Sequence, residues 1–126
     1  MMIMTMFLNC LAVGFGGALG SVSRYLLGFL PLRQYDFPFI TLGINILGAF
    51  LIGAVIALAG KHGNADPRLI LFLQVGFCGG FTTFSTFSNE TFLLLQNGKI
   101  TLAAIYMILS VILCVCAVFG ARFLLR

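Results

Sequence analysis

Long apolar runs alternate with short polar segments along the chain. Four of the runs are long enough to cross a bilayer, since a spanning helix needs about 20 mostly apolar residues. They cover residues 3–30, 38–60, 69–96 and 100–123. The pattern predicts an all-α membrane protein whose four transmembrane helices form a single domain over residues 1–126.

The separators between the runs carry residues that end helices. The first, P-L-R-Q-Y-D-F-P at 31–38, contains two prolines, and the second, K-H-G-N-A-D-P at 61–67, contains Gly, Asn and Pro. The third is the short turn N-G-K at 97–99. Gly, Asn and Pro are strong turn signals. Four spans joined by such short turns place both termini on one side of the membrane.

Composition agrees with a chain that lies in lipid. Hydrophobic residues make up 61% and charged residues 8%, whereas a soluble domain carries about 25% charged residues. No basic cluster supports nucleic-acid binding. The four cysteines, Cys10, Cys78, Cys114 and Cys116, lie in apolar runs without a His or carboxylate at ligand spacing, so they are interpreted as small hydrophobic residues rather than metal ligands.

The basic residues are divided almost evenly between the two sides of the predicted membrane. The side with the termini and the second turn carries four: Lys61, Arg68, Arg122 and Arg126. The opposite side carries three: Arg24, Arg33 and Lys99. An excess of Lys and Arg on the cytoplasmic side normally sets orientation. A difference of one residue leaves two interpretations, a weak but sufficient bias or insertion in both orientations with antiparallel self-association.

Glycines occur at spacings that allow helix backbones to approach closely. Gly16 and Gly20 are four apart, as are Gly76 and Gly80, and such small residues are typical of helix contacts in membranes. Span two has a similar series: Gly43, Gly48 and Gly53. A four-helix chain of this size has little interior, so a permeation path requires a second copy. The sequence therefore favours a homodimer.

Two charged residues lie within or near the spans. Arg24 stands late in the first span, and it either snorkels to the interface or places a cation at the mouth of an anion pathway. Glu90 is the only carboxylate within the spans. It either lines a vestibule or lies in water where span three emerges.

Polar side chains also form two helix faces. Thr41 and Asn45 are four apart in span two, as are Tyr106 and Ser110 in span four, and residues at this spacing share a face. A buried Asn in lipid needs a partner, so Asn45 either joins helices or lines a pore.

The stretch G-G-F-T-T-F-S-T-F-S-N-E at 79–90 is the least membrane-like part of span three. Non-helical backbone survives in a bilayer only where protein buries it or it lines a cavity. We therefore predict that the third helix breaks at Gly79–Gly80, where the polar run of Thr82, Thr83, Ser85 and Thr86 follows. Such a break frees carbonyls that can hold a cation. Phe84 and Phe87 share a face of the half that follows; they are either ordinary packing or a pair of positive ring edges that an anion can contact.

Three motifs resemble the Fluc (CrcB) family of small fluoride channels. They are G-G-A-L-G-S-V-S-R-Y at 16–25, T-L-G-I-N-I-L-G at 41–48 and G-F-C-G-G-F-T-T-F-S-T-F-S at 76–88. The resemblance covers the whole chain, and the last motif is long and highly specific. It implies a passive fluoride-selective channel that exports fluoride from the cytoplasm of a bacterium across its inner membrane, lowering fluoride toxicity.

The same resemblance implies an architecture and a set of site residues. The channel would be an antiparallel, dual-topology homodimer with two pores and a structural sodium ion at its centre, held by the carbonyls of Gly79 and Thr82. The pore residues it implies include the pair Phe84 and Phe87, with Arg24 near the aqueous vestibule. The other residues assigned to the ion pathway are Thr41, Asn45, Ser85, Thr86, Glu90, Tyr106 and Ser110.

Two other classes of function remain open from the residues alone. A small proton-coupled exporter of toxic molecules also uses four spans and dual topology, but it needs a titratable carboxylate in its central cavity. A purely structural membrane subunit does not need the long polar stretch of span three. An enzyme is not expected, since no nucleophile–base pair or metal constellation is present.

Overall fold

The computed structural model describes residues 1–32 and 34–125. Within these residues, four helical spans are long and apolar enough to cross a membrane: Met2–Leu27, Phe39–His62, Pro67–Gln96 and Ile100–Leu124. The four predicted spans are therefore confirmed, with ends that differ by a few residues, and the chain is a multi-pass membrane protein. Two residues of the sequence-based charge count, Arg33 and Arg126, lie outside the described residues.

Spans one, two and four are each a single continuous helix, whereas span three is divided into several segments. The continuous helices are α1 (Met2–Leu27), α2 (Phe39–His62) and α6 (Ile100–Leu124). The third span consists of α3 (Pro67–Ile70), a π-helix (Leu71–Cys78), α4 (Gly79–Phe81) and α5 (Phe84–Gln96). π-Helical segments are rare and frequently lie at functional sites; nothing in the sequence pattern predicted this one.

The turns between spans follow their local chemistry. Gly63 ends α2 in the left-handed region with φ 64°, which glycine adopts without steric cost. Asp66 then caps α3 by accepting a hydrogen bond from the Arg68 N–H at 2.8 Å, with Pro67 in the first helical turn. At the opposite end of the bundle, Lys99 forms a 2.6 Å ion pair with Asp36, which fastens the first loop to the start of α6.

Helix α1 packs against the first half of span three through glycine faces. A Cβ atom on Gly20 would collide with the backbone of Phe77 and would lie 2.8 Å from the Phe81 nitrogen. A Cβ on Gly76 would lie 2.8 Å from the Val13 carbonyl and 2.9 Å from the Gly16 Cα. The predicted close approach at these glycine pairs is confirmed, and it occurs within one chain.

Helix α2 uses glycines against two neighbours. Gly53 lies against the Val118 backbone of α6, where a Cβ would be 2.8 Å from the carbonyl oxygen. Gly48 faces the side chains of Thr82 and Phe81. Gly43 makes no such contact within the chain, because a Cβ there meets nothing within 4 Å, so its part in close helix packing stays a prediction.

A small cluster of buried residues forms a core between α2, α5 and α6. It consists of Leu42, Leu94, Ala103 and Tyr106, with Phe87 packed against it. Most large apolar side chains of the spans are instead exposed on the outside of the bundle, as expected where lipid replaces water as the solvent. The break in span three lies beside this core.

Candidate functional site

Span three breaks at Thr82 and Thr83. Helix α4 ends at Phe81 and α5 begins at Phe84, and the residues between are extended, with φ/ψ of −77°/159° and −152°/119°. The predicted break is confirmed, but its position at Gly79–Gly80 is wrong, since both glycines are helical. The reason is that Gly80 is needed for packing, because a Cβ on it would lie only 3.0 Å from the Gly17 Cα, whereas the threonines carry the groups that stabilise a break.

The side chain of Thr83 restarts the helix. Its Oγ1 accepts a hydrogen bond from the Thr86 N–H at 3.2 Å and donates to Thr86 Oγ1 at 3.0 Å. The hydroxyl of Ser85 lies 3.3 Å from the same oxygen. This is an N-cap, in which a hydroxyl satisfies a backbone donor that the first turn leaves unpaired. Ser85 and Thr86, both predicted ion-pathway residues, thus belong to the capped first turn of α5.

Asn45 of α2 holds the extended backbone of the break. Its Oδ1 accepts from the Thr83 N–H at 2.8 Å, and its Nδ2 donates to the Thr83 carbonyl at 3.0 Å. Of the two interpretations that the sequence left open, the structure shows the interhelical one. The second hydrogen of the amide is still available to another acceptor, so a pore role for Asn45 stays a prediction.

Two carbonyls lose their regular helical donors at the break. In an α-helix each N–H donates to the carbonyl four residues earlier. The Thr83 N–H, which would pair with Gly79, donates to Asn45 instead. The Thr86 N–H, which would pair with Thr82, donates to the Thr83 hydroxyl. Gly79 and Thr82 are therefore two of the positions where the break diverts the backbone donor of a helical carbonyl.

A neighbouring carbonyl is bound by the cationic side chain of α1. Arg24 Nε donates to the Gly80 carbonyl at 3.1 Å, and Ser21 Oγ lies 3.5 Å from the same oxygen. A cation near the carboxyl end of a helical segment is electrostatically favourable. Arg24 also lines a small cavity with Thr41, Thr83 and Thr86, so its side chain is directed toward the break rather than only toward the interface.

The two phenylalanines predicted to line the ion pathway, Phe84 and Phe87, lie at the start of α5 and differ in environment. Their ring centroids are 5.4 Å apart with an interplanar angle of 44°. Phe87 contacts Tyr106 at 5.0 Å and the buried core, while Phe84 has 78% of its surface exposed. One ring is thus anchored in the protein and the other extends from it.

Glu90 lies between three helices. Its two carboxylate oxygens accept hydrogen bonds from Thr41 Oγ1 at 2.8 Å and from the Tyr106 hydroxyl at 2.7 Å. Thr41 and Tyr106 are both buried. The structure therefore brings together three predicted ion-pathway residues that are far apart in sequence, and it does not leave Glu90 simply in water at the end of the span.

A groove of 460 Å³ runs along the outside of the chain beside the break. Its polar lining consists of Asn45, Gln74, Thr82, Thr83 and Ser110. The rest is formed by apolar residues of α2 and α6 and, from span three, by Cys78, Gly79, Phe84 and Phe87. We call this the central groove. The Ser110 hydroxyl is buried there with no hydrogen-bond partner among the described residues.

Sequence reasoning did not include two residues of this region among the site residues. Thr83 lies in the break, and its signal was present, since a Thr immediately before a helical segment is a typical N-cap residue. Gln74 of the π-helix lines the central groove, and an amide at membrane depth in an apolar run was a readable sign of a functional position.

The geometry defines a class of protein: a small four-span membrane protein with a broken third helix and, beside the break, a largely apolar groove that carries a few polar side chains. Sequence comparison agrees, because a family model described as "CrcB-like protein, Camphor Resistance (CrcB)" matches residues 11–122. The chain belongs to the CrcB-like family.

Individual relatives carry a more specific name. The chain is 44% identical over 119 residues to the "Fluoride-specific ion channel FluC" of Elusimicrobium minutum, covering 92% of each protein. It is 48% identical over 106 residues to the protein of that name from Leptospira interrogans, covering 82% of this chain and 84% of the relative. The "Fluoride-specific ion channel FluC 1" of Nitrobacter hamburgensis is 47% identical over 118 residues, covering 92% and 94%. These relatives are named as channels, not as enzymes.

Proposed function

We propose that the protein is a fluoride-selective channel that lets fluoride leave the cytoplasm down its electrochemical gradient. The observation that carries the proposal is the central groove, which joins two aromatic rings, an amide and hydroxyls beside a helix break. A chain of this kind with relatives named fluoride-specific channels along nearly its whole length is best explained by the same activity.

The working unit would be a homodimer. The central groove lies on the outside of one chain, yet it contains an amide, hydroxyls and freed backbone carbonyls, and such groups are costly against hydrocarbon. A second copy seated on the groove would remove them from lipid and enclose a path. The near-even division of basic residues supports an antiparallel arrangement, in which each chain of the pair has the opposite orientation.

Fluoride is small and strongly hydrated, so a pore must replace its water with other positive groups. The free N–H of Asn45, nearby hydroxyls and the edges of Phe84 and Phe87 can supply partial positive charge without a full cation that would trap the ion. Conduction requires sites that are weak enough to release what they bind. The buried Ser110 hydroxyl, which has no partner among the described residues, is a further donor on the same groove.

The freed carbonyls fit a structural sodium ion. Hard cations of this kind take oxygen ligands, and the donors diverted at the break leave the Gly79 and Thr82 carbonyls available. Both residues line the central groove. One chain would contribute two oxygens and its partner two more, so the ion would stabilise the dimer and the break, while fluoride would pass elsewhere.

A proton-coupled exporter is less well supported. Such a carrier needs a carboxylate in its central cavity, but no Asp or Glu is among the described residues that line the groove. Glu90 is held by Thr41 and Tyr106 instead.

The proposal is tested by anion efflux from liposomes that contain the purified protein and are loaded with either fluoride or chloride. We expect rapid fluoride efflux, chloride efflux near that of protein-free liposomes and no dependence on a proton gradient. Efflux of both halides at similar rates, or efflux that stops without a proton gradient, would contradict the proposal. In cells, where the channel would lie in the bacterial inner membrane, loss of the protein should increase sensitivity to fluoride.

A further inference from the structure

A second groove lies far from the break, between the carboxyl-terminal ends of α2 and α6. It has a volume of 840 Å³ and is lined by Ile56, Ala57, Gly60, Lys61, Phe119, Gly120, Arg122 and Phe123. We call it the terminal groove. Spans two and four run in the same direction, so two helix ends meet at one membrane surface and leave this space between them.

Two basic side chains line the terminal groove. Lys61 lies in the last turn of α2 and Arg122 in the last turn of α6. Among residues 1–32 and 34–125, neither takes part in an ion pair, and no Asp or Glu lines the groove. The carboxylates of Asp36, Asp66 and Glu90 are each bound elsewhere. Within the part of the chain that the structure describes, the groove is therefore positively charged without a counterion of its own.

The deeper lining is apolar. Ile56 lies five residues before Lys61 on α2, which corresponds to about 7.5 Å along a helix axis. Phe119 is exposed beside it on α6. Gly60 and Gly120 keep the space open, since a Cβ on either would meet nothing within 4 Å. From the membrane interface inward, the lining of the groove is thus first positively charged and then apolar.

We infer that the terminal groove binds an anionic phospholipid, with the headgroup phosphate at Lys61 and Arg122 and an acyl chain along the deeper apolar wall. The arrangement matches the two parts of such a lipid, whereas a soluble anion would leave the apolar wall unused. Basic pockets between transmembrane helices are a known type of lipid headgroup site. The inference does not depend on which ion the protein conducts.

Binding of phosphatidylglycerol to the purified protein in mild detergent, measured by native mass spectrometry, tests the inference. We expect phosphatidylglycerol to be retained in preference to phosphatidylcholine. Each of Lys61→Gln and Arg122→Gln should weaken its binding about fivefold, and the double variant more strongly. Arg68→Gln is the matched control, because it removes one positive charge on the same side of the membrane from a residue outside the groove, and it should leave binding unchanged.

A charge-preserving variant separates the groove from general surface attraction. Gly120→Leu fills the open space and keeps both cations, so it should weaken phosphatidylglycerol binding while the protein remains folded by circular dichroism. Inorganic phosphate at millimolar concentration should not displace the lipid. Equal losses in Arg68→Gln, unchanged binding in the folded double variant or in Gly120→Leu, or displacement by inorganic phosphate would each overturn the inference.

Discussion

At the residue scale, Phe84 and Phe87 occupy adjacent positions with unequal support. Phe87 is packed against Tyr106 and the core, whereas Phe84 extends into the central groove with most of its surface exposed. Replacement of Phe84 should therefore test ring chemistry with little effect on folding, while replacement of Phe87 will combine a change in chemistry with a loss of packing.

We expect Phe84→Ile and Phe87→Ile to reduce fluoride efflux at least tenfold, because isoleucine keeps apolar bulk but lacks the positive ring edge. A tenfold loss corresponds to about 1.4 kcal/mol at the barrier. Phe92→Ile is the control, since Phe92 lies on α5, is exposed and does not line the central groove. Conduction at the parent rate by the folded Phe84→Ile protein would show that the edge of this ring is not needed for fluoride efflux.

Asn45 is the second residue for which substitution separates two roles. Asn45→Asp keeps the acceptor for the Thr83 N–H but places an oxygen against the Thr83 carbonyl, where the amide now donates at 3.0 Å. We expect fluoride efflux to be lost and the free energy of unfolding to fall by about 1–3 kcal/mol. Liposome efflux and thermal unfolding in detergent measure the two effects.

Asn97→Asp adds the same charge at an exposed turn and should change neither quantity. Loss of efflux with unchanged stability would indicate that Asn45 acts mainly on the ion. Loss of both efflux and stability would indicate that Asn45 mainly supports the break. Normal efflux from a folded Asn45→Asp protein would contradict both roles.

At the scale of elements, the contact of α1 with span three depends on glycine rather than on side-chain interdigitation. Gly20→Val should prevent this contact, because any Cβ there collides with the backbone of Phe77 and backbone atoms cannot move aside cheaply. We expect a large loss of thermal stability or failure to accumulate in the membrane. Gly14→Val on the same helix is the control, since a Cβ at Gly14 meets nothing within 4 Å. Comparable stability of the two variants would show that the α1 contact is unimportant.

The break is the other element whose role can be tested by substitution. If its freed carbonyls hold sodium on a dimer axis, Thr82→Ser should be tolerated, because the hydroxyl that donates to the Cys78 carbonyl at 2.8 Å is kept. Gly79→Val should fold as a chain, since a Cβ there has open space within 4 Å, but should lose the dimer and the ion.

Size-exclusion chromatography of both variants measures dimerisation, and ion-replacement diffraction of the parent protein identifies the bound species. We expect density for a cation between the Gly79 and Thr82 carbonyls of two chains. Density that behaves as water under every ion tested would count against the sodium site.

At the scale of the whole molecule, orientation in the membrane follows from very few charges. Four basic residues on one side face three on the other, so three added lysines are sufficient to determine the direction of insertion. We expect lysines added near residues 63–65 and lysines added near residues 97–98 to produce single, opposite orientations. Each variant alone should be inactive in fluoride efflux, and coexpression of the two should restore activity.

Cysteine accessibility from each side of the membrane measures orientation independently of transport. Three added glutamines at the same positions control for the insertion itself. Full activity from a variant with one fixed orientation would exclude the antiparallel pair as the working unit.

The apolar pattern by itself determined the number of spans, their approximate ends and the need for a break in the third. These features follow from local chemistry: bilayer thickness sets the length of a helix, and turn residues end it. The glycine pairs were also readable, because spacing on a helix determines which small residues share a face.

Tertiary structure decided where the break lies and what its polar groups contact. Asn45 binds Thr83 from 38 residues away, Arg24 binds the Gly80 carbonyl from 56 residues away, and Thr41 binds Glu90 from 49 residues away. Helical spacing within one span cannot specify such pairs, because they depend on how separate helices are rotated and aligned. The break lies at the threonines rather than at the predicted glycines for the same reason. Gly80 packs against the backbone of α1, and Thr83 is the residue whose backbone Asn45 binds.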